Sequence, residues 1–151
     1  MNILSEQEAC AGPSGRSIER LLEPLAGLPN VALTRLGAFD SGGRTYSLPR
    51  FTFRGPNSSD PIRIGLFGTI HGDEPAGAFA LGEFLRLLVA QPDLAENFHL
   101  QVYPLCNPTG FEDNTRHSRR GRDLNREFWR NSPEPEVRIL EQELLQGRFN
   151  V

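Results

Sequence analysis

The sequence predicts an α/β fold, a mixed, mainly parallel sheet flanked by helices. Three observations carry that prediction. Residues 62–70 (IRIGLFGTI) form a near-continuous apolar run, as expected of a strand covered on both faces. From Pro75 to Val89 most positions are apolar, and the polar exceptions Glu83 and Arg86, three apart, mark the solvent stripe of a helix. Residues 98–105 (FHLQVYPL) then read as a second strand. Strand, helix and strand in that order make a crossover unit, which places its two strands in parallel.

The other elements follow along the chain. Residues 1–16 are polar and are expected to be flexible. Ser17 is placed to cap a short helix through Leu22 and Leu25 that ends near Gly27. Two extended runs, 31–39 and 45–53, flank Ser41-Gly42-Gly43, which is the spacing of an antiparallel hairpin. Residues 55–61, rich in Gly, Pro, Asn and Ser, are a loop. Pro75 suits the first position of the apolar helix. Residues 107–130 read as a long polar loop rich in arginine, and loops of that length are usually functional or disordered. A last helix is expected over 133–147, with Val137, Leu140 and Leu144 on one face, and Phe149-Asn150-Val151 opens a further strand.

Bulk properties narrow the function. At 151 residues the chain fits one domain with a real core. A net charge of -3 argues against a general nucleic-acid binder. Every one of the sixteen basic residues is arginine, which excludes a Schiff-base lysine and a phosphate loop built on lysine. The two cysteines, Cys10 and Cys106, stand far apart in no paired motif, so a reducing compartment is the expectation. No signal-like start and no membrane-length apolar run is present. A soluble cytoplasmic protein with no membrane partner is expected.

His71 and Glu74 stand where the 62–70 strand gives way to the helix, just beyond a strand's carboxyl end, where open α/β sheets bind ligands. Imidazole nitrogen and carboxylate oxygen are both good zinc donors, and Gly72 between them permits a tight turn. Glu74 can equally serve as a helix cap. Downstream, Arg116, Arg119, Arg120, Arg122, Arg126 and Arg130 crowd together with His117. Guanidinium groups hold carboxylate or phosphate in two-point geometry, which suits an anionic substrate. The alternatives are a solvated loop paired with Glu112, Asp113, Asp123 and Glu127, or a local nucleic-acid patch.

Together these segments resemble the zinc metallocarboxypeptidase superfamily, which also holds succinylglutamate desuccinylase and aspartoacylase. The run from Gly68 to Gly77 resembles its His-x-x-Glu zinc motif, Asn107-Pro108-Thr109-Gly110-Phe111 its Asn-Pro-x-Gly loop, and Asp123-Leu124-Asn125-Arg126 its Asp-Leu-Asn-Arg signature. The resemblance covers about residues 62–130. It implies His71 and Glu74 as ligands of one zinc ion, and Arg116 as the residue polarising the scissile carbonyl, with Arg119 a rival. It implies Asn125 and Arg126 as the holders of the substrate's terminal carboxylate. The implied chemistry is attack of zinc-activated water on an amide carbonyl.

The superfamily also uses a third ligand, a later histidine, and a glutamate general base. Neither His99, in a predicted strand, nor His117 stands where that ligand belongs. Residues 17–151 are therefore expected to be the N-terminal part of a single zinc-hydrolase domain, an incomplete and inactive piece. The leading expectation is hydrolysis of a C-terminal peptide bond in a small substrate with a free carboxylate. The alternatives are an N-acyl amino acid deacylase and a non-catalytic binding module of the same fold.

Overall fold

The computed structural model describes residues 15–57 and 59–151. Residues 1–14 of the expected flexible N-terminus, with Cys10, lie outside them. Helix α1 (Ile18–Ala26) begins where a hydroxyl is available: Ser17 Oγ accepts from the Arg20 N–H, and Gly27 closes the other end. Its apolar face, Ile18, Leu21, Leu22 and Leu25, is buried.

Strands β1 (Val31–Ser41) and β2 (Arg44–Arg54) form the predicted hairpin, with Ser41 opposite Arg44. Only Gly42 and Gly43 remain in the turn, at φ +60° and +77°. That left-handed pair gives the turn the twist a two-residue hairpin needs, and a side chain there would be strained. The crossover unit follows as β3 (Ile62–Phe67), α2 (Ala76–Ala90) and β4 (Phe98–Tyr103). β3 and β4 pair in parallel, from Ile62 opposite Phe98 to Phe67 opposite Tyr103. β4 pairs antiparallel with β2, so the mixed sheet runs β1-β2-β4-β3.

Helices cover both faces of the sheet. On one, α1 and α2 pack Leu22, Leu25, Ala78, Leu85 and Leu88 against Phe51, Phe53, Leu100 and Val102. On the other, α4 (Pro135–Gln146) seats Leu140 beside Leu48, Tyr103 and Cys106. Val137 and Leu140 are buried as predicted, while Leu144 is only half-buried. Glu83 and Arg86 pair on the outer face of α2. No helix among the described residues is long and apolar enough to cross a membrane.

Two segments depart from expectation. β3 stops at Phe67, before Ile70, because Thr69 adopts a left-handed backbone at φ +50°. The stretch 107–130 is not one loop. It holds α3 (Pro108–Asp113) and a 3-10 turn (Leu124–Arg126), and Asn107 to Glu112 are buried. The helix is too short to show a hydrophobic period, so polar composition hid it. At the end of the chain, the Asn150 N–H donates to the Arg63 carbonyl and the Gly65 N–H to the Val151 carbonyl, along the outer edge of β3.

Candidate active site

The site is assembled where the two parallel strands end. Beyond β3 and β4 the chains stay side by side: the Gly68 N–H donates to the Tyr103 carbonyl, the Cys106 N–H to Gly68, and the Asn107 N–H to Thr69. Asn107 then holds three things at once. Its Oδ1 accepts from the Gly110 N–H and caps α3, while its Nδ2 donates to the carbonyls of Ile70 at 3.2 Å and Arg116 at 3.4 Å. One buried amide thus fixes both the approach to His71 and the backbone of Arg116.

The start of α2 is fixed in an unusual way. Pro75 occupies the cap position rather than the first helical turn, and its side chain offers no acceptor. Thr69 supplies one from outside the helix, its Oγ1 accepting from the Ala78 N–H at 3.1 Å. The strained backbone of Thr69 is the cost of aiming that hydroxyl. Between Thr69 and Pro75 the chain turns tightly, with the Glu74 N–H bonded to the His71 carbonyl. A Cβ on Gly72 would collide with the backbone of Gly110 and Phe111, so the turn lies directly on α3.

Four charged or titratable side chains close a ring on this frame. His71 Nδ1 lies 3.5 Å from Glu74 Oε2, and His71 Nε2 lies 3.2 Å from Asp123 Oδ1. Arg116 completes the ring, with Nη1 at 3.3 Å from Glu74 Oε1 and Nε at 3.4 Å from Asp123 Oδ2. His71 is largely buried, whereas Glu74 and Arg116 are open to solvent. The Arg116–Glu74 pair is exposed and contributes at most about 1 kcal/mol, so it serves geometry more than stability. Burial works to raise the Asp123 pKa, but the His71 hydrogen bond, the Asn125 N–H and the Arg116 charge outweigh it and hold the carboxyl below its ordinary value. Asp123 is therefore a carboxylate at neutral pH.

The ring's donors match a metal site only in part. Two ligands at about 2.0–2.1 Å from a tetrahedral zinc stand about 3.4 Å apart. The 3.5 Å between His71 Nδ1 and Glu74 Oε2 fits that spacing. An acceptor on the far ring nitrogen fits as well, because metal-binding histidines usually donate that N–H to a carboxylate. The donor set is incomplete: among the described residues no three His, Cys, Asp or Glu side chains converge on one point. His99 sits on β4 in register with Arg54 and Arg63, where burial and those arginines lower its pKa, and His117 is exposed. Cys106 is fully buried and its thiol is pushed up to about 12 by that burial, so it offers no thiolate.

The other predicted residues divide. Asn125 and Arg126 lie exposed on the 3-10 turn, ordered by Asp123, which accepts the Asn125 N–H on its side chain and the Arg126 N–H on its carbonyl. A cleft of about 200 Å³ opens beside Asn125, lined by Phe67, Ile70, Cys106, Phe128 and Leu140. Arg119 points elsewhere. It forms a two-point pair with Asp113 at 2.7 Å and donates to Tyr46 Oη and the Ser41 carbonyl, tying α3 to the hairpin. Arg122 pairs with Glu127, and Arg120 donates to the Pro133 carbonyl. Much of the arginine cluster is thus spent on the loop's own acids and backbone.

Asp123 was legible only as part of the Asp-Leu-Asn-Arg signature, not as the partner of His71. The clue was its being the acid two positions before Asn125, together with the general need of a ligating histidine for an acceptor behind it.

Comparison with known proteins places the chain in a family. Residues 61–146, more than half of the chain, match the succinylglutamate desuccinylase/aspartoacylase catalytic domain. Carboxypeptidase D of Rattus norvegicus is 33% identical over 111 residues, 60% of this chain and 8% of that protein. A metallo-carboxypeptidase from Pseudomonas aeruginosa, solved in complex with (2-guanidinoethylmercapto)succinic acid, is 28% identical with a TM-score of 0.65, over 89% of this chain and 38% of that one. A metallo-carboxypeptidase from Burkholderia cenocepacia shares the fold at 21% identity and a TM-score of 0.69, over 84% of this chain and 36% of that one. The chain spans less than half the length of these relatives. It belongs to the succinylglutamate desuccinylase/aspartoacylase catalytic-domain family, within the zinc metallocarboxypeptidase-like superfamily.

Proposed function

We propose that this chain carries half of a zinc hydrolase site that cleaves an amide bond next to a free carboxylate. The observation that carries the proposal is the 3.5 Å approach of His71 Nδ1 to Glu74 Oε2, with Asp123 behind the other ring nitrogen. His71 and Glu74 would hold the metal. When bound, it supplies the Lewis acid that activates water and polarises the carbonyl.

The protein's own residues do the rest. Asp123 keeps the proton on His71 Nε2, which leaves the Nδ1 lone pair free to ligate. Arg116, in contact with Glu74, stands where a guanidinium can steady negative charge on the carbonyl oxygen. Asn125 and Arg126 are open to solvent on the same turn and offer planar donors to a carboxylate. The (2-guanidinoethylmercapto)succinic acid in complex with the Pseudomonas aeruginosa relative is itself a carboxylic acid. Peptide C-termini are the leading substrates, on the names of the carboxypeptidase relatives. N-acyl amino acids are the second reading, favoured by the matched catalytic domain.

Zinc titration of the 151-residue chain and of His71→Ala tests the proposal. The wild type is expected to bind one ion weakly, in keeping with two ligands, and His71→Ala to weaken binding at least about tenfold. Equal binding by both would remove His71 from the site.

A further inference from the structure

The tight turn that carries His71 and Glu74 is held from several sides. His71 is bonded to Asp123, the Gly72 N–H faces the Arg116 carbonyl at 3.4 Å, and the Gly72 α-carbon rests on the α3 backbone. One more contact comes from the residue just before the cap of α1. Arg16 Nη1 donates to the Gly72 carbonyl at 2.9 Å, across 56 positions. Gly72 is buried, and a buried carbonyl without a donor is costly. A guanidinium donor gives a stronger bond than a neutral one.

Among the described residues, two features help to locate Arg16. Its guanidinium carbon stands 5.6 Å from the centre of the Phe111 ring, over a residue buried in α3. The next residue, Ser17, is the cap of α1, whose apolar face is fixed in the core. The charge is thus suspended between an anchored helix and an aromatic surface, with its donor aimed at the peptide between the two proposed ligands.

We propose that Arg16 is a positioning residue for the metal-binding turn, holding the Gly72–Asp73 peptide so that His71 Nδ1 and Glu74 Oε2 face a common point. This rests on the zinc-site reading above. Without Arg16 the Gly72 carbonyl loses its charged donor, the peptide plane is free to rotate, and Glu74 swings relative to His71. The turn would remain in place but would no longer present a matched pair of donors.

The test compares wild type with Arg16→Ala, Arg16→Lys and Arg20→Ala in the 151-residue chain. Arg20 is an exposed neighbour on α1 whose backbone N–H, not its side chain, makes the cap bond. The first readout needs no metal: the amide resonance of Asp73, which shares a peptide with the Gly72 carbonyl, and the exchange rate of the Glu74 amide. Arg16→Ala is expected to shift the Asp73 resonance and speed Glu74 exchange, Arg16→Lys to restore both in part, and Arg20→Ala to leave both unchanged. The second readout is cobalt(II) affinity and its visible spectrum, where Arg16→Ala should bind about tenfold more weakly with an altered band shape. Unchanged Asp73 and Glu74 amides in Arg16→Ala overturn the proposal, as does equal cobalt affinity. A wild type that binds no cobalt overturns the zinc-site reading instead, and the amide readout then decides whether Arg16 holds the turn.

Discussion

At the scale of single residues, the site depends on what stands behind the ligand. A neutral imidazole can ligate through Nδ1 only when its proton is on Nε2, and Asp123, 3.2 Å from Nε2, is positioned to accept that proton's hydrogen bond. The same carboxylate takes the Asn125 N–H and faces Arg116, so it links the proposed ligand, the proposed carbonyl-polarising residue and Asn125, a proposed holder of the substrate carboxylate. Replacing it with asparagine keeps the shape and removes the charge. Asp123→Asn is expected to weaken zinc binding by about 10- to 100-fold without unfolding the chain. Competition against a chromogenic chelator measures this, and an unchanged zinc affinity would refute the role given to Asp123.

At the scale of elements, some parts were legible because their signals are local. Ser17, the apolar face of α1 and Gly27 sit within a dozen residues, and two adjacent glycines suffice for the hairpin turn. α3 was missed because six residues show no period, although Asn107-Pro108 is a cap followed by a proline in the first turn. That cap does more than start a helix, since its amide also donates to the Ile70 and Arg116 carbonyls. Loss of an N-cap costs about 1 kcal/mol, and a buried carbonyl left without its donor about 1–3 kcal/mol. Asn107→Ala should therefore lower unfolding free energy by about 2–4 kcal/mol in urea. A loss within a few tenths of wild type would show that water replaces the amide at little cost. The departure at β3 has a similar origin: the apolar run continued to Ile70, but the need to aim the Thr69 hydroxyl at α2 ended the strand at Phe67.

At the scale of the whole molecule, the sequence patterns announced a mixed α/β sheet and set His71 and Glu74, the proposed ligands, just beyond a strand end, but not the strand order. Placing β4 between β2 and β3 depends on contacts far apart in sequence, and so do the bonds from Arg16 to Gly72 and from Asp123 to His71. The same long-range assembly buries charge that no local pattern reveals. Glu134 and Glu136, at the start of α4, are almost wholly buried, and both oxygens of Glu134 and Oε2 of Glu136 have no hydrogen-bond partner among the described residues. Burial raises the Glu136 pKa above its ordinary 4.5 and the Glu134 charge adds to that, while the Glu136 N–H, the Thr109 hydroxyl and Arg120 oppose it. A carboxyl with a higher pKa in the folded state binds its proton more tightly there. Its contribution to stability is fully present below the unfolded value, near 4.5, and is lost as pH rises through the folded value. Glu136→Gln removes the ionisation and keeps an oxygen for Thr109. Its thermal midpoint should match wild type near pH 4 and exceed it at pH 7. Midpoints that differ equally at the two pH values would mean that charge at Glu136 does not govern the stability of this fold.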